Sequence, residues 1–173
     1  PGMSLLTTFP IAIFSAAMIF AGVRDLTTMT IPNWLTSALA LSFFAVALLA
    51  QMPLADIAQH TTVAVVTLLL GMVFFAKGWI GGGDAKLMAA VALWLGWAQA
   101  LPYFVIASML GGGLTLLILG YRNLPLPAFV LRQAWAMRLH DRAEGVPYGL
   151  ALAAAGLLIF PDTEIFRLTI AIG

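Results

Sequence analysis

Long apolar runs alternate with short polar breaks along most of this chain. A helix that crosses a bilayer needs roughly 20 apolar residues. On that measure the pattern predicts six spans: Leu5 to Val23, Trp34 to about Ala50, Ile57 to Ala76, Leu87 to about Leu101, Pro102 to Leu119 and Val146 to Phe160. The apolar stretch from Leu87 to Leu119 is too long for one ordinary span, and Gln99 and Pro102 are taken as the break within it. The polar breaks are the segment from Arg24 to Asn33, Gln51-Met52-Pro53, Lys77 to Lys86, a long loop from Gly120 to Gly145, and a short tail from Pro161.

Composition turns this pattern into a membrane assignment. Hydrophobic residues make up 62% of the 173 and charged residues only 9%, whereas a soluble domain carries about 25% charged residues. So little charge cannot cover a water-facing surface, and a disordered chain would need more charge and less apolar bulk. The expectation is an all-α polytopic membrane protein, a single domain over residues 3–173, with Pro1-Gly2 read as a cloning remnant. Zero cysteines remove disulfides, thiol nucleophiles and cysteine-ligated metals. The two histidines make no metal pattern, and a net charge of +1 gives no reason to invoke nucleic acid.

The basic residues orient the spans. Six spans put Arg24, Lys77, Lys86, Arg122, Arg132, Arg138 and Arg142 on one side and leave Arg167, the eighth, on the other. The positive-inside rule makes the crowded side cytoplasmic, with both termini outside. Asp25 and Asp84 then face the cytoplasm, and Asp56 and Asp162 the outside. Span four, at about 15 residues, reaches only about 22 Å of the ~30 Å hydrocarbon thickness, which would recess Asp84 below the cytoplasmic surface.

Each aspartate has an ordinary structural reading. Gly81-Gly82-Gly83-Asp84 before an apolar run suits a helix start with Asp84 as N-cap. Asp25 pairs with Arg24 or caps the second span on the same kind of reading. The functional reading requires both together. Carboxylates at membrane depth are costly and tend to be functional, and two close together cannot both ionise easily. The ionised one would take a proton from an attacking water, and the protonated one would polarise a scissile carbonyl. The spacing leaves open whether the two meet.

The same residues carry a family resemblance. Gly81-Gly82-Gly83-Asp84 fits the Gly-x-Gly-Asp signature of membrane aspartic proteases, and Asp84-Ala85-Lys86 fits an Asp-x-Lys continuation. Asp25 followed by Ile31-Pro32-Asn33, and the late Val146-Pro147-Tyr148-Gly149, complete a set that resembles the bacterial type IV prepilin peptidases, most closely the short form serving Flp-type (tight-adherence) pili. The resemblance implies an inner-membrane endopeptidase that cuts the leader from prepilins and pseudopilins after a glycine, at the cytoplasmic face. It makes Asp25 and Asp84 the catalytic pair, with Gly81, Gly83, Lys86, Pro32 and Asn33 as motif or substrate-binding residues. It implies no metal or other cofactor. Bifunctional members also methylate the new N-terminus through a region with paired cysteines, so methylation is not expected here. The threonine-rich stretch Thr27, Thr28, Thr30 stands where family members often carry basic residues.

Residues Leu126 to Glu144 suit an amphipathic helix on the inner leaflet, a plain positive-inside loop, or a substrate-guiding lip. Two rival classes remain. A small proton- or ion-coupled transporter would place its carboxylates near the midplane and show a half-to-half repeat. A non-catalytic subunit of a secretion assembly would tolerate isosteric loss of either acid.

Overall fold

A computed structural model describes residues 5–127 and 130–172. Those residues form seven α-helices: α1 (Leu5–Thr28), α2 (Asn33–Leu49), α3 (Leu54–Ala76), α4 (Gly82–Tyr121), α5 (Ala134–His140), α6 (Tyr148–Ile159) and α7 (Glu164–Ile172). Short 3-10 turns cover Val130–Arg132 and Phe160–Asp162.

By length and composition three helices can cross a bilayer: α1 over Thr8–Thr28, α3 and α4. The stretch Tyr148–Asp162 and α7, bent by 53° at their junction, make a fourth if the pair is one span, and α2 is a shorter apolar helix. Helix α4 is not one straight rod. Gly96 has φ 71° and ψ 177°, outside the helical region. On a straight helix Asp84 and Ser108 would stand about 36 Å apart at 1.5 Å per residue; instead both line one cavity of about 390 Å³, and so do Met88 and Phe104. The chain therefore doubles back at Gly96, giving antiparallel arms over 82–95 and 97–121. With α4 taken as two arms, six apolar helical segments stand where six spans are expected.

The break comes at Gly96 rather than at Gln99–Pro102, and its cause lies outside the local sequence. A Cβ at Gly96 would meet the His60 ring at 2.8 Å. His60 Nδ1 bonds the Leu93 carbonyl at 2.7 Å, one of the acceptors left open where the first arm ends. The His60 ring also stacks on Phe43 at 5.2 Å. Pro102 stays inside the helix.

The core is centred on Trp94, fully buried, whose Nε1–H donates to the Leu39 carbonyl at 2.9 Å. Phe14, Phe43 and Phe160 surround it with centroid distances of 5.4, 5.9 and 5.9 Å. By contrast α3 exposes Leu69, Leu70, Met72, Val73, Phe74 and Phe75 together. Such a face is unfavourable in water and suits lipid. Trp34, Trp79 and Trp97, expected at span ends, are all about half or more exposed.

Two connections differ from expectation. The tail after Pro161 is helical: Phe166 N–H donates to Thr163 Oγ1 at 3.3 Å, an N-cap bond, and Ile165, Thr163 and Thr169 are buried. The stretch Leu126–Glu144 is not one amphipathic helix. Among its described residues it makes a 3-10 turn and the seven-residue α5, held to the bundle by Arg122, whose Nε donates to Leu139 O at 2.8 Å and whose Nη2 donates to Glu144 O and Gly145 O at 2.9 and 3.0 Å. Ala136 and Leu139 face inward, and Trp135 outward. Residues 128 and 129 of that stretch lie outside the described residues.

Candidate functional site

The two ends of the bundle are chemically different. Asp56, Gln99 and Asp162 gather at the Gly96 end, around one polar cavity that also takes in Glu164 and Arg167. Asp25 and Asp84 lie at the other end, where α1 finishes and α4 and α6 begin.

Asp25 belongs to the last turn of α1, not to a loop beyond it. The helix outlasts its apolar run because the hydroxyls of Thr27 and Thr28 donate to the carbonyls of Val23 and Arg24 at 2.7 Å each, supplying locally what water would otherwise supply. It stops at Met29, φ 53°, whose N–H still reaches the Asp25 carbonyl at 2.8 Å. Asp25 is consequently only 5% exposed. It does not cap α2, whose N-cap is Pro32 in an extended conformation. Neighbouring Arg24 has Nε buried with no hydrogen-bond partner among the described residues. The backbone N–H groups of Gly149 and Leu150, in the first turn of α6, are directed at the Asp25 carboxylate, the favourable end of a helix for an acid. Its Oδ2 is buried without a partner that meets hydrogen-bond geometry among the described residues.

Asp84 is the third residue of α4 rather than its N-cap. Gly81 takes the N-cap position, and its N–H donates to Asp84 Oδ2 at 3.2 Å. The carboxylate is half-buried and lies within range of the charge on Asp25.

Ile31 holds the parts in register. A Cβ at Gly83 would come 3.2 Å from Ile31 Cβ, and one at Gly149 would come 2.6 Å from Ile31 Cδ1 and 2.8 Å from Asp25 Oδ2. The buried Ile31 side chain is thus wedged between two helix starts that approach only because both positions are glycine. Gly81 lacks room for a different reason: its Cβ would meet Asp84 Oδ2 at 3.0 Å.

The remaining motif residues stand apart from the acids. Lys86 Nζ donates to Asn33 Oδ1 at 2.8 Å, tying the start of α4 to the start of α2 on the exposed face. Pro32 sets the entry into α2. Gly149 and Ile31 were not singled out as site residues by the sequence; the Val146–Gly149 and Ile31-Pro32-Asn33 motifs were the signals that contained them. Tyr103 had no such signal. It is fully buried in the second arm of α4, and its hydroxyl has no hydrogen-bond partner among the described residues. Among the described residues no group of three or more His, Cys, Asp or Glu is placed to hold a metal ion.

What this arrangement offers chemically is a buried carboxylate and a half-buried one near each other, with polypeptide backbone against the first. Comparisons with known proteins point the same way. The model of the type IV leader peptidase family matches residues 12–116, a stretch that contains both acids and stops short of α6. A prepilin leader peptidase/N-methyltransferase of Xanthomonas campestris pv. campestris is 33% identical over 85 residues, 49% of this chain and 24% of that protein. One of the same name from Aeromonas hydrophila is 36% identical over 80 residues, 46% of this chain and 22% of that protein. The alignments thus span about a quarter of the length of these curated relatives. No solved structure is a significant match.

Proposed function

The chain belongs to the type IV leader peptidase family, and from that premise we propose that it is an inner-membrane aspartic endopeptidase which removes the leader from Flp-type prepilins and related pseudopilins at the cytoplasmic face. The observation that supports the proposal is that Asp25 and Asp84, from separate helices, lie at the same end of the bundle and within electrostatic reach of each other. The reading covers peptide cleavage alone. The methyltransferase activity in the relatives' name is left out, since the aligned stretch is so small a part of them.

The chemistry follows from a shared-proton pair. One carboxylate, ionised, takes a proton from water as its oxygen attacks the scissile carbonyl carbon. The other, protonated, donates a hydrogen bond to the carbonyl oxygen. Collapse of the tetrahedral adduct passes a proton to the leaving nitrogen, freeing a new amino terminus and the leader's carboxylate. The base and acid roles belong to the pair, not to either residue. The first arm of α4, roughly 21 Å at 1.5 Å per residue, supports an Asp84 set below the membrane surface. A transporter reading is disfavoured, because both acids stand in terminal helical turns rather than at mid-span.

The test is leader cleavage in liposomes, with the new N-terminus mapped by mass spectrometry. The intact chain should cut after the leader glycine, and Asp25→Asn and Asp84→Asn should not. Cutting by both variants would make the acids structural. An intact chain that leaves several prepilins untouched, while a known peptidase cuts them, would move the transporter or assembly reading forward.

A further inference from the structure

Two arginines at the acid-bearing end of the bundle share a cavity that takes no part in the cleavage chemistry. It measures about 410 Å³ and is lined by Leu119, Arg122, Asn123 and Arg142, within the size range of ligand pockets. Leu119, Arg122 and Asn123 stand at the end of the second arm of α4, and Arg142 joins them from the chain just after α5. Arg122 is held in place by neutral groups, its Nε and Nη2 donating to the Leu139, Glu144 and Gly145 carbonyls. Arg142 Nη2 donates to Asn123 Oδ1 at 2.7 Å, which leaves Asn123 its amide N–H donors. Neither guanidinium is paired with a carboxylate among the described residues. Of the nearby acids, Asp141 accepts from the Ala143 N–H through Oδ1, and Glu144 gives Arg122 its carbonyl.

The polar side chains of the wall thus offer donors, and Arg122 and Arg142 carry positive charge. Like charges around one cavity repel, and an anion with several acceptor oxygens relieves them both. The guanidinium fork suits a phosphate in particular.

The surface leading into the cavity decides which kind of phosphate. Met109, Gly112, Leu116, Leu119 and Asn123 are spaced three or four apart and share one face of the second arm. Met109 and Leu116 are each 72% exposed and Leu119 48%. Among the described residues nothing lies within 4 Å of where a Gly112 Cβ would stand. This apolar face is therefore uncovered. From Met109 to Leu119 it rises about 15 Å at 1.5 Å per residue, half of the ~30 Å hydrocarbon thickness and so one leaflet deep. A soluble phosphate leaves the face unused. An acidic peptide meets the arginines, but its backbone cannot follow the face into hydrocarbon unpaired. A phospholipid matches both parts, phosphate to the cavity and acyl chain to the face. A zwitterionic headgroup brings a third cation to the two already present, so an anionic one fits better.

We infer that Arg122, Asn123 and Arg142 form a headgroup site for an anionic glycerophospholipid, whose phosphate bridges the two guanidinium groups and whose acyl chain lies along Leu119, Leu116 and Gly112. The site stands apart from the peptidase reading and does not need it.

The experiment titrates the full chain in detergent with dioleoyl phosphatidylglycerol and, separately, dioleoyl phosphatidylcholine, counting bound lipid by native mass spectrometry. The parent should hold one phosphatidylglycerol roughly tenfold more tightly than phosphatidylcholine, the scale of a charge-assisted hydrogen bond. Arg142→Gln removes one cation from the cavity and should erase most of that preference. Arg132→Gln makes the same change of net charge at an exposed position outside the cavity and should keep it. Equal retention of the two lipids by the parent, or equal loss in the two variants, overturns the site. Glycerol 3-phosphate at the lipid's concentration should not displace it; displacement would assign the cavity to a soluble phosphate ester and overturn the lipid assignment. A phosphatidylglycerol with a diazirine midway along one acyl chain should label residues within 109–119, and labelling confined to other segments overturns the assignment too. If Arg142→Gln does not fold, the lipid comparison and the labelling decide. None of these readouts requires cleavage, so a chain that cuts no prepilin leaves the test intact.

Discussion

Replacing Gly149 with alanine tests the site where its tolerance is smallest. The added methyl would stand 2.6 Å from Ile31 Cδ1, 2.8 Å from Asp25 Oδ2 and 2.9 Å from Asp25 Cγ. Ordinary contacts of a Cβ begin near 3.4 Å, so the neighbours must withdraw by some 0.6 to 0.8 Å. Isoleucine can yield by changing rotamer, whereas Asp25 can yield only by turning its carboxylate away from the Gly149 and Leu150 N–H groups or by moving its helix or α6. Overpacking of this kind costs about 1–3 kcal/mol in stability. A misplacement approaching 1 Å at a reacting group costs on the order of 100-fold in rate. Gly149→Ala should therefore lower kcat for leader cleavage by about two orders of magnitude while the protein still unfolds cooperatively on heating in detergent. The double variant Gly149→Ala, Ile31→Ala separates the two clashes: it should recover part of the stability and little of the rate, since the contact with Asp25 remains. A single variant within a factor of three of the parent, or full recovery of rate in the double, would show that the acid does not depend on the position of α6.

Three further outcomes are expected. Gly96→Ala should cost about 2 kcal/mol or more in detergent unfolding, combining a left-handed φ of 71° with a 2.8 Å approach to His60; a shift indistinguishable from zero would contradict the doubling-back of α4. Lys86→Met and Asn33→Ala should each cost about 1 kcal/mol and the pair no more than either alone, because both remove one hydrogen bond; additive losses in a double-mutant cycle would mean the two act separately. Arg122→Ala frees three carbonyls of the α5 region and should make the chain between Asn123 and Pro147 cleavable by added protease, with an uncut loop counting against that anchor.

The grouping of the acids was legible because charge in a membrane protein is sparse. With seven acidic residues in the chain, the alternation of spans alone assigned Asp25 and Asp84 to one end and Asp56 and Asp162 to the other. The break in α4 was not legible. Pro102 looks like punctuation and Gly96 does not, yet a proline can ride inside a helix while a glycine turns it, and the choice is made by His60, 36 positions earlier in the chain. The helix after Pro161 could have been found from Thr163 followed by Glu164, an N-cap before an acidic first turn. The placement of Asp25 inside α1 hung on threonine hydroxyls satisfying their own helix, an arrangement that composition alone reads as a polar loop. The Ile31 wedge and the contact of Gly149 with Asp25 join three segments distant in sequence, so only the packed bundle reveals them.

The central claim is that the two carboxylates work as one unit on a peptide bond. Single-turnover cleavage of a prepilin in liposomes by the parent, Asp25→Asn, Asp84→Asn and the double variant measures this directly. Groups that act as a unit are strongly non-additive. Each single variant should fall to the background rate with its thermal unfolding preserved, and the double should be no slower than either. A single variant that keeps a tenth of the parent rate, or a double whose loss is the product of the two single losses, would contradict the pair.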